Sequence, residues 1–198
     1  MDDSTRGQRS GPTVSAYFRA LDVMADKSDV DIQLLAIPGI RQTVVTDQAI
    51  LKVEDRFDAL YLMDIEERDS VNTVVTSSIQ KDKISISNTV TSFNGRNLDT
   101  SFAAAYFPDV TMAVTQKSLD TQTKVLREQT TSVVVPPSVA VLGAFSANDR
   151  VAFPWFAPAG FSRGALKSVS EVKTKLNEDN IQDLNNAKIN PIQTFPNS

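Results

Sequence analysis

The chain has no cysteine and no histidine among its 198 residues. Disulfides, thiol nucleophiles and zinc sites built on Cys or His are therefore excluded, as is a Ser-His-Asp triad. Any acid–base chemistry would fall to lysines and carboxylates. Long apolar runs are missing too, and none approaches the roughly 20 residues that a membrane helix requires. The first fourteen residues are polar and lack the apolar stretch of a secretory signal. The expectation is a chain made in a cytoplasm, without membrane insertion. Basic clusters are scarce: no run of Lys or Arg exceeds two residues, and the net charge is −4. A nucleic-acid surface needs a concentrated basic face to displace phosphate counterions, so none is expected.

What is present is ordinary globular composition, with 41% hydrophobic and 22% charged residues. The length suits one domain able to bury a core. Residues 1–14 hold two Gly, one Pro and several charges without periodicity, and read as a flexible N-terminal segment. Residues 15–198 read as a single α/β domain. Tyr17, Phe18, Leu21 and Met24 follow helical spacing from a Ser15 N-cap, and this helix ends near Lys27.

Ile32–Ile37 and Ala59–Met63 are short, nearly continuous apolar runs, closed by Pro38-Gly39 and Asp64. Such runs suit strands covered on both faces. Between them, over Thr43–Arg56, Val45, Ala49 and Val53 recur every four residues. The series predicts a right-handed βαβ unit. Val71, Val74, Val75 and Ile79 predict a helix over Val71–Gln80, while Ile84 and Ile86 alternate like a weak strand before Asn94-Gly95. Phe102–Phe107 predicts another interior strand, and the Thr-rich Thr115–Thr131 a surface excursion. Val133–Val135 reads as a strand leading through Pro136, Pro137 and Ser138 into a helix over Val139–Asn148. Proline fits the first helical turn, where its missing N–H would be unpaired anyway. A small-residue stripe, Ala140, Gly143, Ala144 and Ala147, is expected to pack on the sheet. A short segment at Val169–Val172, a helix at Asp179–Asn186 and a strand at Ile192–Phe195 complete the reading. The fold class is α/β, a largely parallel or mixed sheet flanked by helices on both faces.

Candidate chemistry is sparse. Asp64, Glu66, Glu67 and Asp69 follow the carboxyl end of a predicted strand, the edge where open α/β sheets bind ligands. Asp109 ends another. Together Asp64 and Asp109 suit a Mg²⁺-dependent phosphotransfer or phosphatase-like enzyme, although a solvated acidic loop explains them more simply. Gly39 stands alone, without a nucleotide fingerprint, and reads as a turn residue with positive φ. Lys81 and Lys83 beside Ser85 and Ser87 fit alternation in a polar strand better than a Ser/Lys pair. Phe153, Trp155, Phe156 and Phe161 cluster around Pro154, Pro158 and Gly160. From composition, a partner-binding loop and a loop folded over the core stand equal.

Several short motifs follow one another in order: Ala104-Ala-Tyr-Phe-Pro108, Val135 before Pro136, Pro137 and Ser138, Gly143, and Asp149-Arg150. Trp155 with Ala157-Pro-Ala-Gly160, Leu166, and Leu184, Ile189-Asn190, Phe195 and Pro196 complete the series. In this order and spacing the chain resembles the central domain of contractile tail sheath proteins of phages and related injection machines. The likeness covers about the last hundred residues, and more loosely the βαβ portion. It departs at Phe161-Ser-Arg-Gly164 and around Lys117–Glu128. The resemblance implies a non-enzymatic structural subunit with no cofactor, placed in a virion tail after assembly in a host cytoplasm. Its implied partners are further sheath subunits, the tail tube and the baseplate. It also implies continuation beyond Ser198 into a further strand and an assembly arm, so that residues 1–198 alone stay monomeric. A bacteriocin or type VI-like sheath is the close variant.

Overall fold

The computed structural model describes residues 11–76, 84–119, 126–153 and 155–195. The elements in chain order are α1 (Pro12–Ala25), β1 (Leu34–Ala36), α2 (Thr43–Arg56), β2 (Leu60–Asp64), α3 (Ile86–Asn94), β3 (Ala103–Phe107), β4 (Val110–Leu119), β5 (Leu126–Val135), α4 (Pro137–Val151), α5 (Gly160–Arg163), β6 (Val169–Val172), α6 (Glu178–Asn186) and β7 (Ile189–Pro191). The fold is mixed α/β. It divides into two compact units, Met1–Phe107 with Leu176–Pro191, and Pro108–Lys175 with Ile192–Ser198.

The first unit is built on a four-stranded parallel sheet in the order β1-β2-β3-β7. Its register pairs Leu35 with Tyr61, Met63 with Ala105, and Ala105 with Ile189. The run Tyr61–Asp64 is buried throughout, as an interior parallel strand demands. The helix α2 joins β1 to β2 and spans Thr43–Arg56, the bounds its four-residue spacing predicts. It buries Val45, Ala49, Ile50 and Val53. These side chains enter one core with Leu21, Tyr61, Met63, Phe107, Leu184 and Ile189.

Arg56 lies wholly inside this unit. Its guanidinium donates to the Met24 carbonyl and to Val30 O at 2.9 Å, and pairs with Asp58 at 2.8 Å. The chain between α1 and β1 is thereby tied to the end of α2. Arg96 does similar work: it donates to Thr46 Oγ1 at 2.8 Å and pairs with Asp47.

Three local expectations are corrected here. The first helix begins at Pro12 rather than Ser15, because proline at the first helical position prepares the turn and Val14 is buried. Residues 71–76 form a turn and bridged segment instead of a helix; positions 77–80 of that expectation lie outside the described residues. The helix lies further on, at α3. Ser85 caps it by accepting from Asn88 N at 3.4 Å, and Ile86, Val90 and Phe93 pack on the core at helical spacing. The alternation of Ile84 and Ile86 concealed that period.

The second unit holds a three-stranded antiparallel sheet, order β5-β4-β6. The strands β4 and β5 pair residue for residue from Val110↔Val135 to Leu119↔Leu126. The described residues of the Thr-rich stretch are exposed where burial is given, as a surface excursion would be, but their backbone forms two long antiparallel strands. Cross-strand pairs such as Thr115 and Thr130, whose hydroxyls lie 3.1 Å apart, favour the pairing.

Pro136 sits at the N-cap of α4 and Pro137 in its first turn. Of the small-residue stripe, Ala140 and Ala144 are buried, while Gly143 is exposed with nothing within 4 Å of where a Cβ would stand. The buried face of α4 is instead Pro137, Ser138, Ala140, Val141, Ala144 and Asn148. The core of this unit centres on Val110, Ala140 and Val172. Ile192 packs against it without forming the expected strand, and β7 falls earlier, at Ile189–Pro191.

Candidate functional site

The carboxylates after β2 are held by protein donors. Gly39, at φ +78°, donates its N–H to Asp64 Oδ2 at 2.9 Å. Glu67 is buried and pairs with Arg41 at 2.8 Å, and Glu66 pairs with Arg68 at 3.0 Å. Asp69 closes a turn, accepting from Thr73 Oγ1, from Thr73 N at 2.8 Å and from Val71 N at 3.0 Å. Its bond from the Thr73 hydroxyl, with those backbone donors, holds its carboxyl below the ordinary range. Asp109 is buried in the second unit, where its carbonyl accepts from Lys173 N at 2.9 Å. Among the described residues no group of three or more carboxylates is placed to hold a metal ion. Ser85 serves as a helix cap, and Ser87 lies within α3; Lys81 and Lys83 lie outside the described residues.

The aromatic segment after α4 is a different matter. Asn148, buried at the end of that helix, donates Nδ2–H to Phe156 O at 3.0 Å and so fixes the loop's course. The rings of Phe153 and Trp155 stack with centroids 4.7 Å apart and planes inclined by 2°. Phe156 leans on Phe153 at 6.0 Å, and the Arg163 guanidinium lies 5.1 Å from the centre of the Phe156 ring. Phe161 meets Phe195 edge to face at 4.8 Å. Trp155 is 76% exposed, Phe161 71% and Phe153 59%. Phe156 and Phe195 are also exposed.

The reading of this loop as a cover for the core is therefore corrected. Its rings pack in two groups, Phe153 with Trp155 and Phe156, and Phe161 with Phe195, and all five are exposed. The backbone that carries them is specified locally. A Cβ on Gly164 would stand 2.8 Å from Pro158 O and 2.9 Å from Ala159 Cα, so only glycine fits. Gly160, at φ +73°, opens α5.

The motif positions thus part into two groups. Pro136, Pro137 and Ser138 shape and bury the root of α4. Trp155, Pro158, Gly160 and Phe195 belong to the aromatic shelf or its support; Pro154 and Pro196 lie outside the described residues. Sequence reasoning passed over the buried Arg56 and the half-buried Arg96, since an arginine turned inward leaves no periodic mark. It also passed over Leu51, exposed within α2, and Phe57, exposed at its C-cap. Phe57 had one signal: it follows an otherwise complete helix and occupies the left-handed cap at φ +60°.

No helix among the described residues is long and apolar enough to cross a membrane. No model of a known protein family matches the chain, and no curated protein matches it.

Proposed function

We propose that the chain is a structural subunit of a contractile tail sheath, packing with its own copies around a tail tube and shortening on a signal from the baseplate. The observation that carries this reading is the uncovered aromatic shelf, built from the same Trp155-to-Gly160 segment and Phe195 on which the resemblance rests. Rigid aromatic rings are the side chains that dominate protein contacts. A mechanical subunit needs such a surface on a stiff body, because contraction exchanges one set of contacts for another while each body turns as a unit. The work is done in the tail of the particle, following assembly in a host cytoplasm. A bacteriocin-type sheath would use the same parts.

The test is assembly. The native reading frame, expressed with its tail tube, is expected to form regular tubes by negative-stain microscopy. Trp155→Ala in that setting should leave the melting temperature nearly unchanged and stop tube formation. Tails that form complete sheaths without this chain, or phosphate-ester hydrolysis dependent on Mg²⁺ and on Asp64, would overturn the reading.

A further inference from the structure

We propose that copies of this chain meet head to tail, the aromatic shelf of one docking on an acid-rimmed apolar corner in the first unit of the next. The inference rests on the reading above and names the surfaces through which neighbours touch.

Size comes first. The five shelf rings together leave roughly 600 Å² uncovered, taking about 200 Å² per aromatic side chain. One side of a standard protein interface is about 800 Å². The shelf therefore fits a macromolecular partner. One such contact is weak in dilute solution, which accords with a monomer at low concentration, and it gains strength when repeated along an array.

Charge selects the partner. The first unit carries twelve Lys and Arg against nineteen Asp and Glu, a net −7, and the second eight against five, a net +3. Around the shelf, positions 149–168 hold Arg150, Arg163 and Lys167 against the single carboxylate Asp149.

The complementary surface lies where α1 and α2 end. Val23 and Phe57 are exposed there, with Phe57 74% open although one edge of its ring meets Phe102 at 5.1 Å, and Leu51 is exposed within the last two turns of α2. Lys52 bonds Asp22 at 2.8 Å, and Arg56 reaches Met24 O and Val30 O, so these segments form one corner. Both cations are thus used internally. Asp26, Asp29, Asp31 and Asp55 are left at the surface of the same stretches, with Lys27 as the remaining base.

Like surfaces repel. Shelf against shelf brings arginine to arginine, and corner against corner brings carboxylate to carboxylate. Shelf against corner joins opposite charges around apolar centres. Such a contact uses two different patches and can propagate from copy to copy.

The absence of cysteine makes the test direct. One preparation carries Phe161→Cys and a second Leu51→Cys, and both are treated with a short bis-maleimide, alone and mixed. Far-UV circular dichroism first verifies that each is folded. The mixture is expected to give several-fold more cross-linked dimer than either alone, with the yield falling as salt rises from about 0.05 to 0.5 M. Arg163→Glu in the first preparation should abolish the excess, and Asp55→Arg in the second should restore it. Equal dimer from Phe161→Cys alone, or an excess indifferent to both charge changes, would overturn the pairing. If sheaths contain the chain yet the mixture shows no excess, the pairing fails and the sheath reading stands. If the excess appears but tails lack the chain, the pairing stands and the sheath reading fails.

Discussion

The two units of this chain spend their apolar residues in opposite ways. The first folds Leu, Ile, Val, Met, Phe and Tyr side chains into one continuous core beneath parallel strands, and even buries an arginine by giving it two carbonyls and a carboxylate. The second centres its core on two valines and an alanine, and turns five aromatic rings outward. The first is acidic and the second basic. The difference teaches that hydrophobic content alone does not locate a core. In the first unit apolar burial holds the fold, whereas in the second much of the apolar surface stays available for contact.

The largest effect that would sharpen this contrast lies at Arg56. Arg56→Ala strands the Met24 and Val30 carbonyls and should cost about 3–5 kcal/mol in urea unfolding. A loss below about 1 kcal/mol would show that the buried arginine does not organise the first unit. Next comes Tyr61, whose hydroxyl is buried without a hydrogen-bond partner and whose acidity burial suppresses. Tyr61→Phe removes that orphan group and is expected to stabilise by about 1 kcal/mol, read as a higher urea midpoint at unchanged slope.

In the second unit the prediction reverses. Trp155→Ala deletes the largest side chain of the shelf, yet should shift stability by no more than about 0.5 kcal/mol. A cost of several kcal/mol would place the indole in a core and break the comparison. The smallest effect concerns acid. The Arg56 hydrogen bond, foremost, holds the Asp58 carboxyl below its ordinary value of 3.8. A depressed carboxyl stabilises above its unfolded value, and that contribution fades as pH falls through the folded one. Asp58→Asn should therefore flatten the acid limb of a stability–pH curve and leave its neutral slope alone.

How much of this was legible follows from where each element draws its stability. The four-residue spacing of Val45, Ala49 and Val53 fixes α2 because that face meets a sheet. The bounds Val169–Val172 of β6 are likewise readable from a short apolar pattern. Ser85 and Ile86 mislead, since a capped helix start and a strand both place apolar residues two apart at Ile84 and Ile86. The polar pairing of β4 with β5 escapes for another reason: residues 115–118 and 128–131 are exposed on both faces, so no hydrophobic period marks them. The aromatic loop shows its content in sequence but not its direction. Asn148 decides that direction through a single bond to Phe156 O, which no spacing rule contains. The carboxylates near β2 stood out by type; Arg68, Val71 and Thr73 engage Glu66 and Asp69 locally, whereas Gly39 and Arg41 reach Asp64 and Glu67 only across folded contacts.

Trp155 is the only tryptophan in the chain, and it stands in water. Its native fluorescence should already resemble that of a free indole, so melting the parallel sheet will leave the emission colour almost untouched. A blue shift, or shielding from a soluble quencher, would instead announce that something has settled against the ring. The molecule carries its own optical gauge of company.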